Sequence, residues 1–152
     1  MNNKIDLKNT DEYLIIEINK EKYGVDVQII KEVIRIPEIT HVPGAKSDVL
    51  GIINLRGKII SILNADKKLK ITERISFKDS WIIIIDYKKD LVGILADNVI
   101  EVLKISINEI EKYVPLTKKC TNEIIEGVYT KHGEFFIILN AIKLIENIIE
   151  DI

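Results

Sequence analysis

The residues best suited to metal binding or covalent catalysis are few in this chain. Its 152 residues include two histidines, His41 and His132, and one cysteine, Cys120. Two isolated histidines without a cysteine at ligand spacing do not predict a zinc site. A lone thiol with no neighbouring base is typical of packing or surface rather than of a nucleophile. No phosphate-binding loop and no nucleophile elbow occurs, so the sequence predicts neither an enzyme nor a metal or cofactor site.

One residue indicates binding rather than catalysis. The stretch Asn54-Leu55-Arg56-Gly57 has the form of a hairpin tip, in which glycine supplies the positive φ that such turns need. Folding does not require a guanidinium beside that glycine. The planar fork of Arg56 suits a carboxylate. Glu32 is the candidate within the chain, and a carboxylate on a partner is the alternative; the sequence leaves both open.

The segment that holds Arg56 occurs twice. "GIINLRGKIISILNA" (51–65) and "GVYTKHGEFFIILNA" (127–141) share their glycines and the final Leu-Asn-Ala at a shift of 76 residues. "YGVDVQIIKEVIRI" (23–36) and "VGILADNVIEVLKI" (92–105) match at a shift of 69. Two matching pairs in the same order indicate a tandem duplication, with a charged connector between the halves.

Each half is predicted to contain five short strands. "YLIIEIN" alternates with period two, and "WIIIIDY" is apolar almost throughout, as in a strand covered on both faces. The glycine-containing repeats indicate hairpins, with strands at 49–55 and 58–63 and again at 125–131 and 134–139. Five short strands in so few residues predict a small barrel that closes its own edges.

The predicted fold class is mainly β, with two five-stranded barrels packed together. Units of roughly 60 residues are marginal alone, so the barrels are expected to share apolar surface. We expect a flexible tail at 1–12, barrels at about 13–70 and 80–140, and one domain over 13–152. Isoleucines at helical spacing after Asn140 predict an amphipathic helix at 141–151.

Composition limits the class of protein. The chain is 47% apolar with a net charge of −2, and its single cysteine excludes a disulfide framework. No run approaches the ~20 apolar residues that span a bilayer, and the polar start lacks the apolar core of a signal peptide. These features predict a cytoplasmic protein that is not inserted in a membrane.

The repeated blocks resemble the CheW family of bacterial chemotaxis coupling proteins. The matching runs are "YGVDVQIIKEV", "ITHVPGAKSDVLGIINLRGKIISILN" and "VGILADNVIEVLKI", and the resemblance covers about residues 13–149. It implies a non-enzymatic adaptor of two SH3-like barrels, without a cofactor. The implied partners are the regulatory domain of the histidine kinase CheA and the cytoplasmic tips of chemoreceptors. The implied location is the cytoplasm, at membrane-associated receptor arrays.

The resemblance also implies a set of contact residues. They are Val27, Ile30, Glu32, Ile34, Ile36, Arg56 and Val99. Val99 is the second-half counterpart of Ile30 and is the implied wall of a receptor groove between the barrels. Ile34 and Ile36 lie on the first barrel, where the kinase-facing surface is implied.

The alternative from another class is a small barrel that binds nucleic acid. Such barrels use aromatic platforms in a basic groove. Only 6% of the residues are aromatic, and 24 acidic residues outnumber 22 basic ones. Composition therefore favours a protein-binding adaptor over a nucleic-acid-binding barrel.

Overall fold

The computed structural model describes residues 10–71, 78–112 and 123–150, and in these ranges the chain forms eleven β-strands and one α-helix. The helix, α1, spans Ala141–Glu150. Short 3-10 turns at Val27–Ile29 and Ile107–Glu109 precede the third and ninth strands. The strands are β1 Thr10–Ile18, β2 Glu21–Asp26, β3 Ile30–Arg35, β4 Val49–Leu55, β5 Lys58–Leu63, β6 Trp81–Tyr87, β7 Asp90–Ala96, β8 Asn98–Ser106, β9 Ile110–Glu111, β10 Ile125–Lys131 and β11 Glu134–Leu139.

The strands form two sheets, and each sheet takes strands from both halves of the sequence. The six-stranded sheet has the order β8-β1-β2-β11-β10-β9, and the five-stranded sheet has the order β3-β6-β7-β5-β4. The predicted fold class, mainly β with two packed barrels, is confirmed. The predicted division into barrels at 13–70 and 80–140 is wrong, because β1–β2 pairs with second-half strands and β6–β7 pairs with first-half strands.

Each subdomain is closed by the segment that follows one of its edge strands. This segment crosses to the opposite edge of the sheet and pairs there. β8 leads through the 3-10 turn Ile107–Glu109 into β9, which pairs with β10. In the five-stranded subdomain, the chain after β3 makes a bridge to β4 between Thr40 and Ile52. β9 was not predicted, so the second half contributes six strands rather than five.

Apolar side chains form three clusters. One lies inside each subdomain, around Ile15 and Ile138 in the six-stranded unit and around Ile60 and Ile82 in the five-stranded unit. The third, which we call the central cluster, contains residues of both sheets and of α1. Adjacent residues of one strand belong to different clusters, because strand side chains alternate between the two faces of the sheet. The central cluster is the apolar surface that the barrels were predicted to share.

The C-terminal helix belongs to the central cluster. Asn140 caps its first turn, since its Oδ1 accepts the Lys143 backbone N–H at 3.1 Å. Leu144, Ile145 and Ile148 are buried on one face. The helix predicted at 141–151 is observed over Ala141–Glu150, and residue 151 lies outside the described ranges.

Strand β1 includes the last three residues of the predicted tail. β1 starts at Thr10, because the first three residues of β1 pair with the last three of β8, beginning with Thr10 opposite Ser106. Residues 1–9 of the predicted tail, residues 72–77 of the connector and Cys120 lie outside the described ranges.

Candidate partner-binding site

Arg56 lies at the tip of the β4–β5 hairpin. It has a φ of 51° and Gly57 a φ of 85°, the positive pair that defines a type I′ turn. Asn54 Oδ1 accepts the Gly57 N–H at 3.0 Å and holds the turn from one side. The backbone at the tip is therefore fixed, and the guanidinium projects from a rigid base.

The guanidinium of Arg56 binds Glu32. One nitrogen of the fork pairs with Glu32 Oε1, and Nη1 lies 3.4 Å from Oε2. The side chains are 70% and 32% exposed, respectively. The hydrogen bond to Glu32, and next the charge of that carboxylate, raise the pKa of Arg56 above its ordinary value. Of the two carboxylates that the sequence left open, the internal one is observed.

This ion pair spans the opening between the edge strands of the five-stranded sheet. Glu32 lies on β3 at one edge, and Arg56 follows β4 at the other edge. Glu32 is opposite Ile84 of the interior cluster, so its side chain starts on the face that lines the barrel. The pair thus closes one mouth of the five-stranded subdomain with exposed charge.

The second hairpin repeats the turn without this ion pair. His132 and Gly133 have φ values of 52° and 79°, nearly those of Arg56 and Gly57. Both hairpins therefore fold with the same turn, although only the first carries an arginine. This agrees with the expectation that the guanidinium is not needed for the local fold.

Three of the sequence-predicted contact residues pack against the same apolar cluster. Val27, Ile30 and Val99 are half-buried and pack on the edge of the central cluster. Val27 lies in the 3-10 turn between β2 and β3, and Ile30 begins β3 of the five-stranded sheet. Val99 lies on β8 of the six-stranded sheet. We call these residues, with Val102 added below, the seam surface.

Val102 is a residue of this surface that the sequence reasoning missed. It is 50% exposed and lies opposite Leu14, which belongs to the central cluster. Directly opposed residues share a face of the sheet. Nothing in the sequence signalled it, because a spacing of three residues from Val99 predicts opposite faces of a regular strand, and only the register shift opposite Ile15 and Ile16 brings both valines to one face.

Ile34 and Ile36 lie elsewhere. Both are half-buried against the interior cluster of the five-stranded subdomain, and Ile34 is opposite the buried Ile82. They do not join the seam surface. Their predicted role in facing the kinase stays a prediction.

The most exposed apolar residues occupy equivalent positions in the two hairpins. Ile59 is 61% exposed and Phe135 is 67% exposed. The shift of 76 residues between the hairpins brings these two positions together, and this was the signal that could have found them. An open cleft of about 360 Å³ lies beside Ile59, with Leu63, Tyr87 and Ile149 among its lining residues.

The chemistry available in the described ranges is that of binding. Within 10–71, 78–112 and 123–150, no group of three or more His, Cys, Asp or Glu side chains is placed to hold a metal ion. No α-helix in the same ranges is both long and apolar enough to cross a bilayer.

Comparison with known proteins gives a consistent result. A sequence profile of the CheW-like domain matches residues 12–148. The chain is 36% identical to the chemotaxis protein CheW of Thermotoga maritima over 140 residues, covering 90% of this chain and 89% of that protein. It is 26% identical to CheW of Bacillus subtilis over 136 residues, covering 90% and 87%. The crystal structure of the scaffolding protein TtCheW from Thermoanaerobacter tengcongensis superimposes with a TM-score of 0.78 at 33% identity, covering 88% and 86%.

Two packed SH3-like barrels with an apolar seam and an exposed ion pair define a protein-binding adaptor. The chain belongs to the CheW family. It is a chemotaxis scaffolding protein, of the kind that couples receptors to the histidine kinase CheA, and it is not an enzyme. Membership of this family sets aside the nucleic-acid-binding alternative.

Proposed function

We propose that this chain links the cytoplasmic tips of chemoreceptors to the regulatory domain of CheA, in the cytoplasm at receptor arrays. The observation that carries the proposal is the seam surface, where the half-buried Val27, Ile30 and Val99 and the exposed Val102 border a cluster built from both sheets. An apolar groove between elements is a typical binding site for an amphipathic helix. We assign the receptor tip, a helical hairpin, to this surface.

The kinase is assigned to the outer face of the five-stranded subdomain. Ile59 supports this assignment, because it is a large exposed apolar side chain beside an open cleft. Ile34 and Ile36 belong to the same subdomain and are less exposed. A more exposed apolar side chain offers more surface for a partner to bury, so Ile59 ranks above Ile34 and Ile36.

We expect Val102→Asp to weaken binding of a receptor cytoplasmic fragment by about 2 kcal/mol, because an unpaired carboxylate loses water on entering an apolar contact. Binding of the kinase regulatory domain should stay at the wild-type level. Titration of the purified proteins with each fragment measures both effects. Ile107→Asp is the matched control, since Ile107 is 54% exposed and lies outside the seam surface. Equal receptor binding by both variants would contradict the assignment of the seam.

Arg56→Ala should separate folding from binding. The free energy of unfolding is expected to change by about 0.5 kcal/mol or less, because exposed ion pairs contribute little. Binding to at least one of the two partners should fall by about 1–3 kcal/mol if the guanidinium contacts a partner. Chemical denaturation and the same two titrations measure these quantities.

Two variants complete the Arg56 experiment. Lys58→Ala removes an exposed cation two residues away and should leave both titrations unchanged. Glu32→Gln removes the charge that holds Arg56 and shows whether the ion pair itself matters. If Arg56→Ala binds the receptor and kinase fragments as wild type does, Arg56 is not a contact residue.

A further inference from the structure

The chain passes directly from one sheet to the other between β7 and β8. Ala96 ends β7 of the five-stranded sheet, Asn98 begins β8 of the six-stranded sheet, and Asp97 alone lies between them. A connection of one residue restricts the conformations that the backbone can adopt between the two strands. The backbone at Asp97 therefore fixes the direction in which β8 departs.

Three hydrogen bonds tie this crossing to the β1–β2 hairpin. Asp97 Oδ2 accepts the backbone N–H of Asn19 at 2.6 Å. The Asp97 N–H donates to the Glu17 carbonyl oxygen at 2.8 Å. Asn98 Nδ2 donates to Glu17 Oε1 at 2.9 Å. We call this set the crossing latch.

The hairpin end of the latch is itself rigid. Asn19 and Lys20 have φ values of 50° and 70°, so they form another turn with two positive φ angles. Neither residue is a glycine, and residues with a side chain adopt this conformation at a cost. A bond from the Asp97 carboxylate to the Asn19 N–H helps to hold the turn and the crossing in one arrangement.

The latch lies at the start of one wall of the seam surface. Val99 follows Asp97 by two residues and is opposite Ile16, and Val102 is opposite Leu14 further along the same strand. The other wall, with Val27 and Ile30, leads into β3 of the five-stranded sheet. Asp97 is thus the direct covalent link between β7 of the five-stranded sheet and the strand that carries Val99 and Val102.

The chain also passes between the sheets from β2 to β3, and the aspartate there makes a different kind of hydrogen bond. Between β2 and β3, Asp26 Oδ1 accepts the N–H of Gln28 at 2.9 Å, which is a local bond within the 3-10 turn. The carboxylate of Asp97 instead reaches a residue 78 positions away in the sequence. The Asp97 bond thus joins the crossing to the turn of the hairpin whose first strand, β1, pairs with β8.

We propose that Asp97 is a positioning residue for receptor binding, because its carboxylate holds β8 and sets the separation of the two walls of the seam surface. The inference rests on the proposed function of that surface. Asp97 does not belong to the seam and acts through Val99 and Val102.

Asp97→Ala tests the proposal in the full-length protein. Receptor-fragment binding should weaken roughly tenfold, as expected for loss of one charge-assisted hydrogen bond, while binding of the kinase fragment is unchanged. Asp97→Asn keeps an acceptor oxygen and should restore most of the receptor affinity. Asp86→Ala is the control, since Asp86 is an exposed aspartate of β6 that belongs neither to the seam surface nor to the lining of the cleft beside Ile59.

A distance measurement gives a readout that a general loss of stability would not produce. Nitroxide labels at Lys31→Cys and Lys104→Cys, in a Cys120→Ser background, lie on exposed positions of the two walls. Pulsed electron spin resonance should show a broader distance distribution for Asp97→Ala, and a wild-type distribution for Asp97→Asn and Asp86→Ala.

The outcomes separate the two proposals. If the wild-type protein does not bind the receptor fragment at the seam surface, the proposed function fails. If the wild type binds and Asp97→Ala binds equally well with an unchanged distance distribution, the positioning role fails. If Asp97→Ala binds neither the receptor fragment nor the kinase fragment and its unfolding midpoint falls greatly, Asp97 is a general stabilising residue. That result also overturns the proposal.

Discussion

Cut within residues 72–77, this chain is expected to give two fragments that are unfolded when separate and that recover the native fold when mixed. Each sheet takes a hairpin from the opposite half, so each isolated fragment lacks two strands of its sheet. Each fragment also loses its share of the central cluster. Units of this size bury too little apolar surface to compensate. Circular dichroism and size-exclusion chromatography of the fragments, alone and mixed, measure the result.

The control for this experiment changes one buried residue. Ile15 is fully buried in β1, the strand that pairs with β8 of the other fragment. A first fragment with Ile15→Asp should fail to restore the fold of the second, because a carboxylate cannot be buried there without a partner. Two fragments that each unfold cooperatively on their own would contradict the exchange of hairpins.

Gly51→Ala is expected to destabilise the protein by about 3 kcal/mol, since it combines a strained backbone with a steric clash. Gly51 has a φ of 151°, and a Cβ at this position would lie 2.3 Å from the Thr40 carbonyl oxygen. That oxygen accepts the Ile52 N–H in the bridge that closes the five-stranded subdomain. The change therefore acts on barrel closure, and chemical denaturation measures its cost.

Two other glycines separate the causes. At Gly127 a Cβ would lie 2.3 Å from the Glu111 carbonyl oxygen, and its φ is outside the left-handed region. At Gly57 the φ is 85° and nothing lies within 4 Å of a Cβ. We expect the loss of stability to be greatest for Gly51→Ala, intermediate for Gly127→Ala and smallest for Gly57→Ala. A Gly57→Ala effect as large as that of Gly51→Ala would show that the clash is unimportant.

The hairpins could be predicted from the sequence because their chemistry is local. The strands expected at 49–55, 58–63, 125–131 and 134–139 are those observed. Each pair is joined by two residues with glycine second, and both residues have positive φ. A two-residue turn fixes the register of its own strands, so no distant information was needed.

The exchange of hairpins between halves could not be predicted, and the repeat explains why. Because the halves are similar, the apolar face of β1–β2 fits the strands of either half. Pairing within one half and pairing between halves differ only in contacts between residues that are distant in the sequence. The hydrophobic periodicity of a strand does not indicate which strand it pairs with. β9 was missed for another reason, since a strand of two residues has no detectable period.

The candidate site was predicted in part. Glu32 was one of two carboxylates considered for Arg56, and it is the one observed. Val99 was found as the counterpart of Ile30, and both pack on the central cluster. The placement of Ile34 was not predictable, because a register shift between Ile30 and Glu32 changes which side chains of β3 face inward.

The parallel pairing of β2 with β11 has a consequence for synthesis. Tyr23 of β2 is opposite Ile137 of β11, so β2 is synthesised long before the strand with which it pairs. During synthesis, the edge of β2 that pairs with β11 stays unpaired until Ile137 has been made, which is 137 − 23 = 114 residues after Tyr23. Such delayed, long-range pairing is slow and exposes the nascent chain to aggregation. A chaperone that binds extended apolar strands would shield β2 during this interval.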